Sequence, residues 1–63
     1  MLLNPRLGQQ VQVWYRAELR WMPYHGRIGT VVAAGRGQPR NHLLEIDGQR
    51  VVVPCGNVRR VEH

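Results

Sequence analysis

Lysine is absent from this 63-residue chain, and cysteine occurs once, at Cys55. One cysteine cannot close an intrachain disulfide, so a disulfide-stapled secreted scaffold is excluded. Without lysine there is no nucleotide-hydrolase phosphate loop, whose second glycine must be followed by Lys and then Ser or Thr. The stretch Gly35-Arg36-Gly37-Gln38-Pro39-Arg40 is therefore read as a turn. Long apolar runs are missing as well: none approaches the ~20 residues of a membrane span, and the N-terminus lacks a signal peptide's pattern. The cytoplasm is the expected location, with no membrane partner. Metal-ligand pairs of the CxxC or HxxxH type are also lacking. His25, His42 and Cys55 are candidate ligands, whereas a structural zinc site usually wants four. Cys55 with a histidine base has the residue types of a nucleophile pair but no supporting motif, and it reads instead as a small apolar residue beside a turn. Carboxylates number four. Asp47 reads as part of a turn and Glu45 as a cross-strand partner, which leaves little for acid–base catalysis. No enzyme, cofactor or metal is expected.

What is present is positive charge and valine. All nine basic residues are arginine, and the net charge is +5. Two accounts of this stay open: codon usage in a GC-rich genome, or the chemistry of the guanidinium fork, which binds phosphates and base edges bidentately and stacks on planar groups. A balance this basic favours a polyanionic partner. The apolar fraction of 43% suits a folded domain. A chain this short forms one domain and buries only about 60% of the surface its unfolded form exposes, so it needs an efficient small fold, an oligomer or a ligand.

The segment Gly26-Arg27-Ile28-Gly29-Thr30-Val31-Val32 organises the rest. Gly26 can take positive φ, Gly29 permits close approach of a neighbour, and the β-branched residues favour a strand over Arg27–Ala34 with Arg27 displayed at its start. Upstream, residues 1–7 form an extended lead-in in which Leu2, Leu3 and Leu7 are available to close one end of the core. Gly8–Arg16 reads as the first strand by period two, with Val11, Val13 and Tyr15 inward and Gln12, Trp14 and Arg16 outward. Ala17–His25 is a long first loop with room for one helical turn before Pro23. Asn41–Pro54 reads as a hairpin around Asp47-Gly48. That pairing puts Leu44, Ile46, Val51 and Val53 on the core face, Leu43, Glu45, Arg50 and Val52 on the other, and Glu45 opposite Arg50. Pro54-Cys55-Gly56-Asn57 breaks the strand as a tight helical turn, and Val58–Val61 supplies a last strand with Val58 and Val61 inward. Five short strands without a convincing helix predict an all-β domain, a strongly bent antiparallel sheet closed into a barrel or nearly so. Val61-Glu62-His63 is either native or a purification-tag remnant, and no function is placed on His63.

Gly8-Gln9-Gln10-Val11-Gln12-Val13 followed by His25-Gly26-Arg27-Ile28-Gly29-Thr30-Val31-Val32 resembles the KOW motif of ribosomal proteins and transcription elongation factors. That motif pairs a G-x-x-V-x-V strand with a G-[KR]-x-G-x-V turn and strand. Glu45-Ile46-Asp47-Gly48, Val51-Val52-Val53 and Val58-Arg59-Arg60-Val61 fit the remainder of its layout. The resemblance implies a five-stranded SH3-like (KOW-type) antiparallel small barrel spanning residues 1–63, here with a long first loop carrying Trp21-Met22-Pro23-Tyr24. Arg27 and His25 stand where the family often has lysine. Modules of this kind commonly bind RNA or ribonucleoprotein; SH3-like barrels also bind peptides, duplex DNA and partner subunits.

Two functions are weighed. The first is nucleic-acid binding, RNA ahead of DNA. Arg36 and Arg40 of the glycine-rich turn would join Arg16, Arg20 and Arg27 if that turn folds beside the Ala17–His25 loop, with Trp21 and Tyr24 interleaved as stacking surfaces. Of Arg59 and Arg60, at most one can join a given face. The second is a protein-interaction module, an adaptor or inhibitor of the sort a phage or mobile element carries. Trp14, Trp21, Met22 and Tyr24 would anchor it on an acidic protein or a second copy, with arginines as a polar rim.

Overall fold

The computed structural model describes residues 1–62; His63, on which no function was placed, lies outside them. Five strands form one antiparallel sheet: β1 (Gln10–Val13), β2 (Ile28–Ala33), β3 (Asn41–Ile46), β4 (Gln49–Pro54) and β5 (Val58–Arg60). Single 3-10 turns over Ala17–Leu19 and Cys55–Asn57 are its only helical pieces among the described residues. The spatial order is β4-β3-β2-β1-β5, so the strand after Gly26 is the central one. β4 and β5 do not pair with each other, and the sheet stays open. Its extents of 27 × 25 × 23 Å show how strongly it is bent.

Alternation sets the faces. Val11, Val13, Val31, Leu44, Ile46, Val53 and Val58 form the core, none more than 2% exposed, with Tyr15, Tyr24, Leu2 and Val51 packed against it. Each such side chain removed from water contributes roughly 1.5–3 kcal/mol, the main source of stability in a domain this small. Of the other residues expected to close the core, Val61 is half-buried, and Leu3 and Leu7 face solvent at 45% and 71% exposure. The lead-in buries Pro5 and half-buries Leu2 instead.

Gly26 has φ +81°. Its N–H donates to the Val13 carbonyl (2.7 Å), and the Val13 N–H donates to the Arg27 carbonyl (3.0 Å), so the turn locks onto the end of β1. Gly29 admits its neighbour: a Cβ there would lie 2.7 Å from Ile46 Cγ1 and 3.1 Å from the Glu45 carbonyl. Asp47 and Gly48 both have positive φ, as a type I′ hairpin turn requires. Glu45 does lie opposite Arg50, but the expected ion pair does not form; among the described residues the pairs are Arg16–Glu18 and Arg27–Asp47. The turn's carboxylate is taken by Arg27 instead.

The expected first strand, Gly8–Arg16, is trimmed at both ends. Its flanks bond to separate segments, the Gly8 N–H to Val31 and the Trp14 N–H to Asn57.

Candidate nucleic-acid interface

Register divides the arginines into two groups. The Ala17–His25 loop enters β2 at Ile28, and the Gly35–Arg40 turn leaves it after Ala33. Six strand residues place those points about 17 Å apart. The glycine-rich turn and the first loop therefore attach to opposite ends of β2, and among the described residues no hydrogen bond or ion pair joins Arg36 or Arg40 to Arg16, Arg20 or Arg27. A single central strand has two ends, and consecutive loops of a meander use them alternately.

At the glycine-turn end the polar groups hold the chain. Arg40 Nη1 donates to the Leu3 carbonyl (3.3 Å) and to Asn4 Oδ1 (2.9 Å). His42 is fully buried. Its Nδ1 accepts from the Gly35 N–H (3.0 Å), so its Nε2 carries the proton and donates to the Leu2 carbonyl, 2.8 Å away. The Cys55 N–H donates to the Arg40 carbonyl, and the Leu2 N–H donates to the Cys55 carbonyl. Arg36 is exposed and borders a shallow groove of about 410 Å³ with Pro5, Leu7, Val32, Ala33 and Ala34.

At the other end, and outward, stands a cluster around Trp14. Val13 is buried, so alternation turns Trp14 away from the core, where it is half-buried. The Arg59 guanidinium carbon lies 3.5 Å from the Trp14 ring centroid, that of Arg20 5.0 Å, and the His25 ring 4.6 Å. These are cation–π and aromatic distances. Arg59 arrives because β5 pairs with β1, placing it directly across from Gln12. Arg59 Nε donates to Gln12 Oε1 (2.8 Å), and Gln12 Nε2 donates to the Gly26 carbonyl (3.0 Å). Arg20 Nε donates to the Tyr15 carbonyl (3.3 Å). His25 Nδ1 accepts from the Tyr15 N–H (3.0 Å), fixing its ring against Trp14.

No family model, curated protein or solved structure matches this chain. Its chemistry is therefore argued from its own side chains.

Trp21 is 75% exposed in the same loop. Arg16 is exposed, with Nε 3.9 Å from Glu18. Arg27 also faces solvent but is paired with Asp47. Tyr24 turns back onto the core, and its hydroxyl donates to Gln49 Oε1 (3.0 Å). Met22 is half-buried. Of the seven candidate nucleic-acid contacts, then, Arg16, Arg20, Trp21, Tyr24 and Arg27 share one end, and Arg36 and Arg40 lie at the other. Sequence reasoning did not place Trp14, Arg59 and His25 together. The signal for Trp14 and Arg59 was their outward position on adjacent strands, but the β1–β5 register that joins them is not a local property. The arrangement offers planar surfaces and guanidinium forks side by side, which suits the binding of anionic, base-bearing polymers.

Proposed function

We propose that this chain is a small nucleic-acid-binding module, RNA ahead of DNA, on an SH3-like barrel of the KOW type. The order β4-β3-β2-β1-β5, with a single 3-10 turn joining β4 to β5, supports that family of small bent sheets. The observation that carries the function is the half-buried Trp14 flanked by the Arg59 and Arg20 guanidiniums, with Trp21 exposed in the adjoining loop. Cations contact phosphates, and aromatic planes stack on bases that are free to unstack, as in single-stranded RNA. Arg6, Arg36, Arg50 and Arg60 face solvent elsewhere and add a general attraction for polyanions.

The test is a titration against single-stranded RNA, single-stranded DNA and duplex DNA at several salt concentrations. Log affinity falls linearly with log salt, with a slope of about −0.7 per neutralised phosphate for single strands. Arg20→Ala with Arg59→Ala weakens binding and flattens the slope. Absence of binding to all three polymers at low salt overturns the reading.

A second reading draws on Trp21, whose large exposed ring is the commonest type of protein-interface anchor. Trp14 is flanked by guanidiniums and Tyr24 packs on the core, so Trp21 with half-buried Met22 is what remains of the four-residue anchor. Recovery of one defined protein in a nuclease-insensitive pull-down, lost on Trp21→Ala, supports it.

A further inference from the structure

We propose that Arg59 is a preorganised fork that reads a guanine base in the bound strand. This rests on the nucleic-acid reading above and adds base specificity to it. An ordinary surface arginine is flexible, and holding it in one geometry costs rotamer entropy. Arg59 is held already. Its guanidinium lies 3.5 Å from the centre of the Trp14 ring, and its Nε is fixed by Gln12 Oε1. Gln12 is oriented in turn by the Gly26 carbonyl, whose position the positive-φ turn sets. The strand β5 beneath Arg59 is paired with β1. Position and plane are thus constrained from three directions, while the two terminal nitrogens have no partner among the described residues. No buried side-chain nitrogen or oxygen among the described residues lacks a partner, so those unpartnered nitrogens reach solvent.

Phosphate can also take the fork bidentately, but a tetrahedral oxyanion accepts from many directions and gains less from such restraint than a planar base edge does. A base edge needs the donors in its own plane. Two parallel N–H groups match the adjacent N7 and O6 acceptors of guanine, the commonest specific contact arginine makes with a base. Trp21, 75% exposed in the adjoining loop, supplies aromatic surface for a neighbouring nucleotide. Arg20, whose Nε is taken by the Tyr15 carbonyl, keeps its terminal nitrogens for the backbone.

The experiment compares binding of four octaribonucleotides at fixed moderate salt: all-uridine, and uridine with one central guanosine, 7-deazaguanosine or cytidine. The guanosine oligomer binds about tenfold more tightly than the uridine oligomer, within the range a bidentate contact gives. The 7-deaza oligomer, which lacks the N7 acceptor, loses most of that gain. Arg59→Lys keeps the charge but not the fork; it abolishes the preference, lowering affinity for the guanosine oligomer about tenfold more than for the uridine oligomer. Equal binding of guanosine and 7-deazaguanosine, a preference for cytidine, or a preference that survives Arg59→Lys overturns the inference and leaves the general binding function standing. Binding to none of the four, even at low salt, overturns both. Should Arg59→Lys fail to fold, the wild-type discrimination between guanosine and 7-deazaguanosine decides it.

Discussion

Arg40, just before β3, and Arg59, within β5, are the same side chain put to opposite uses in two regions of one small sheet. Arg40 spends its Nη1 on Leu3 and Asn4, beside the buried His42 that fastens Leu2 and Gly35. Arg59 is fastened through its Nε and its flat face, which leaves its terminal nitrogens outward. The first region consumes polar groups to close a fold too short to close itself with apolar area alone. The second consumes just enough of them to hold a cation still. A count of arginines cannot tell these uses apart; the atom through which each is held does.

The largest effect expected from breaking this contrast lies at the closing end. A Cβ at Gly35 would run into the Asn41 backbone, 2.8 Å from its nitrogen and closer to its carbonyl. The clash is with backbone on both sides, so a rotamer change cannot relieve it. Gly35→Ala therefore costs more than the ~1–3 kcal/mol of ordinary overpacking and leaves the chain largely unfolded at 25 °C by circular dichroism. Next comes His42→Ala. It opens a cavity and strands the Gly35 N–H and the Leu2 carbonyl, and is expected to cost about 2–4 kcal/mol in urea unfolding. A variant of either kind as stable as the parent would show that this end is not the fastening. Trp14→Ala sharpens the other side: a stability loss of about 1–2 kcal/mol from lost packing and cation–π contact, with a fall in nucleic-acid affinity larger than that of Arg36→Ala. Equal losses from the two would mean that the cluster acts only as general charge.

Much of the fold was legible because its signals are local. Period-two valines gave the core faces, Asp47-Gly48 gave the hairpin, and Gly26 and Gly29 gave the turn and the close contact. What was not legible involved partners distant in sequence. Nothing near Trp14 announces Arg59, since the two meet only once β5 has paired with β1. Whether the glycine turn folds beside the first loop is likewise not local, since chain direction through β2 attaches the two to its opposite ends. His42 alternates with Leu44 and Ile46 on the core face, but its residue type suggests a ligand and not a core position. A histidine there is compatible with burial only because backbone groups from two distant segments satisfy both ring nitrogens, and that satisfaction has no local sequence signature.

The smallest expected effect tests whether Arg27 belongs to the fastening or to the display. Its guanidinium is paired with Asp47, with both side chains more than half exposed. An exposed pair of this kind contributes about 0.2–1 kcal/mol. Asp47→Asn removes the carboxylate without removing the turn, because asparagine tolerates the positive φ of 53° and Asn-Gly is a preferred type I′ pair. Stability should change by no more than about 0.5 kcal/mol in either direction. Arg27 is then released and the net charge rises by one, so RNA affinity should increase modestly at low salt and converge on the parent's at high salt, where exposed charges are screened. An unchanged affinity at low salt would place Arg27 with Arg40, as a side chain that holds the fold, and confine the display to Trp14, Arg20 and Arg59.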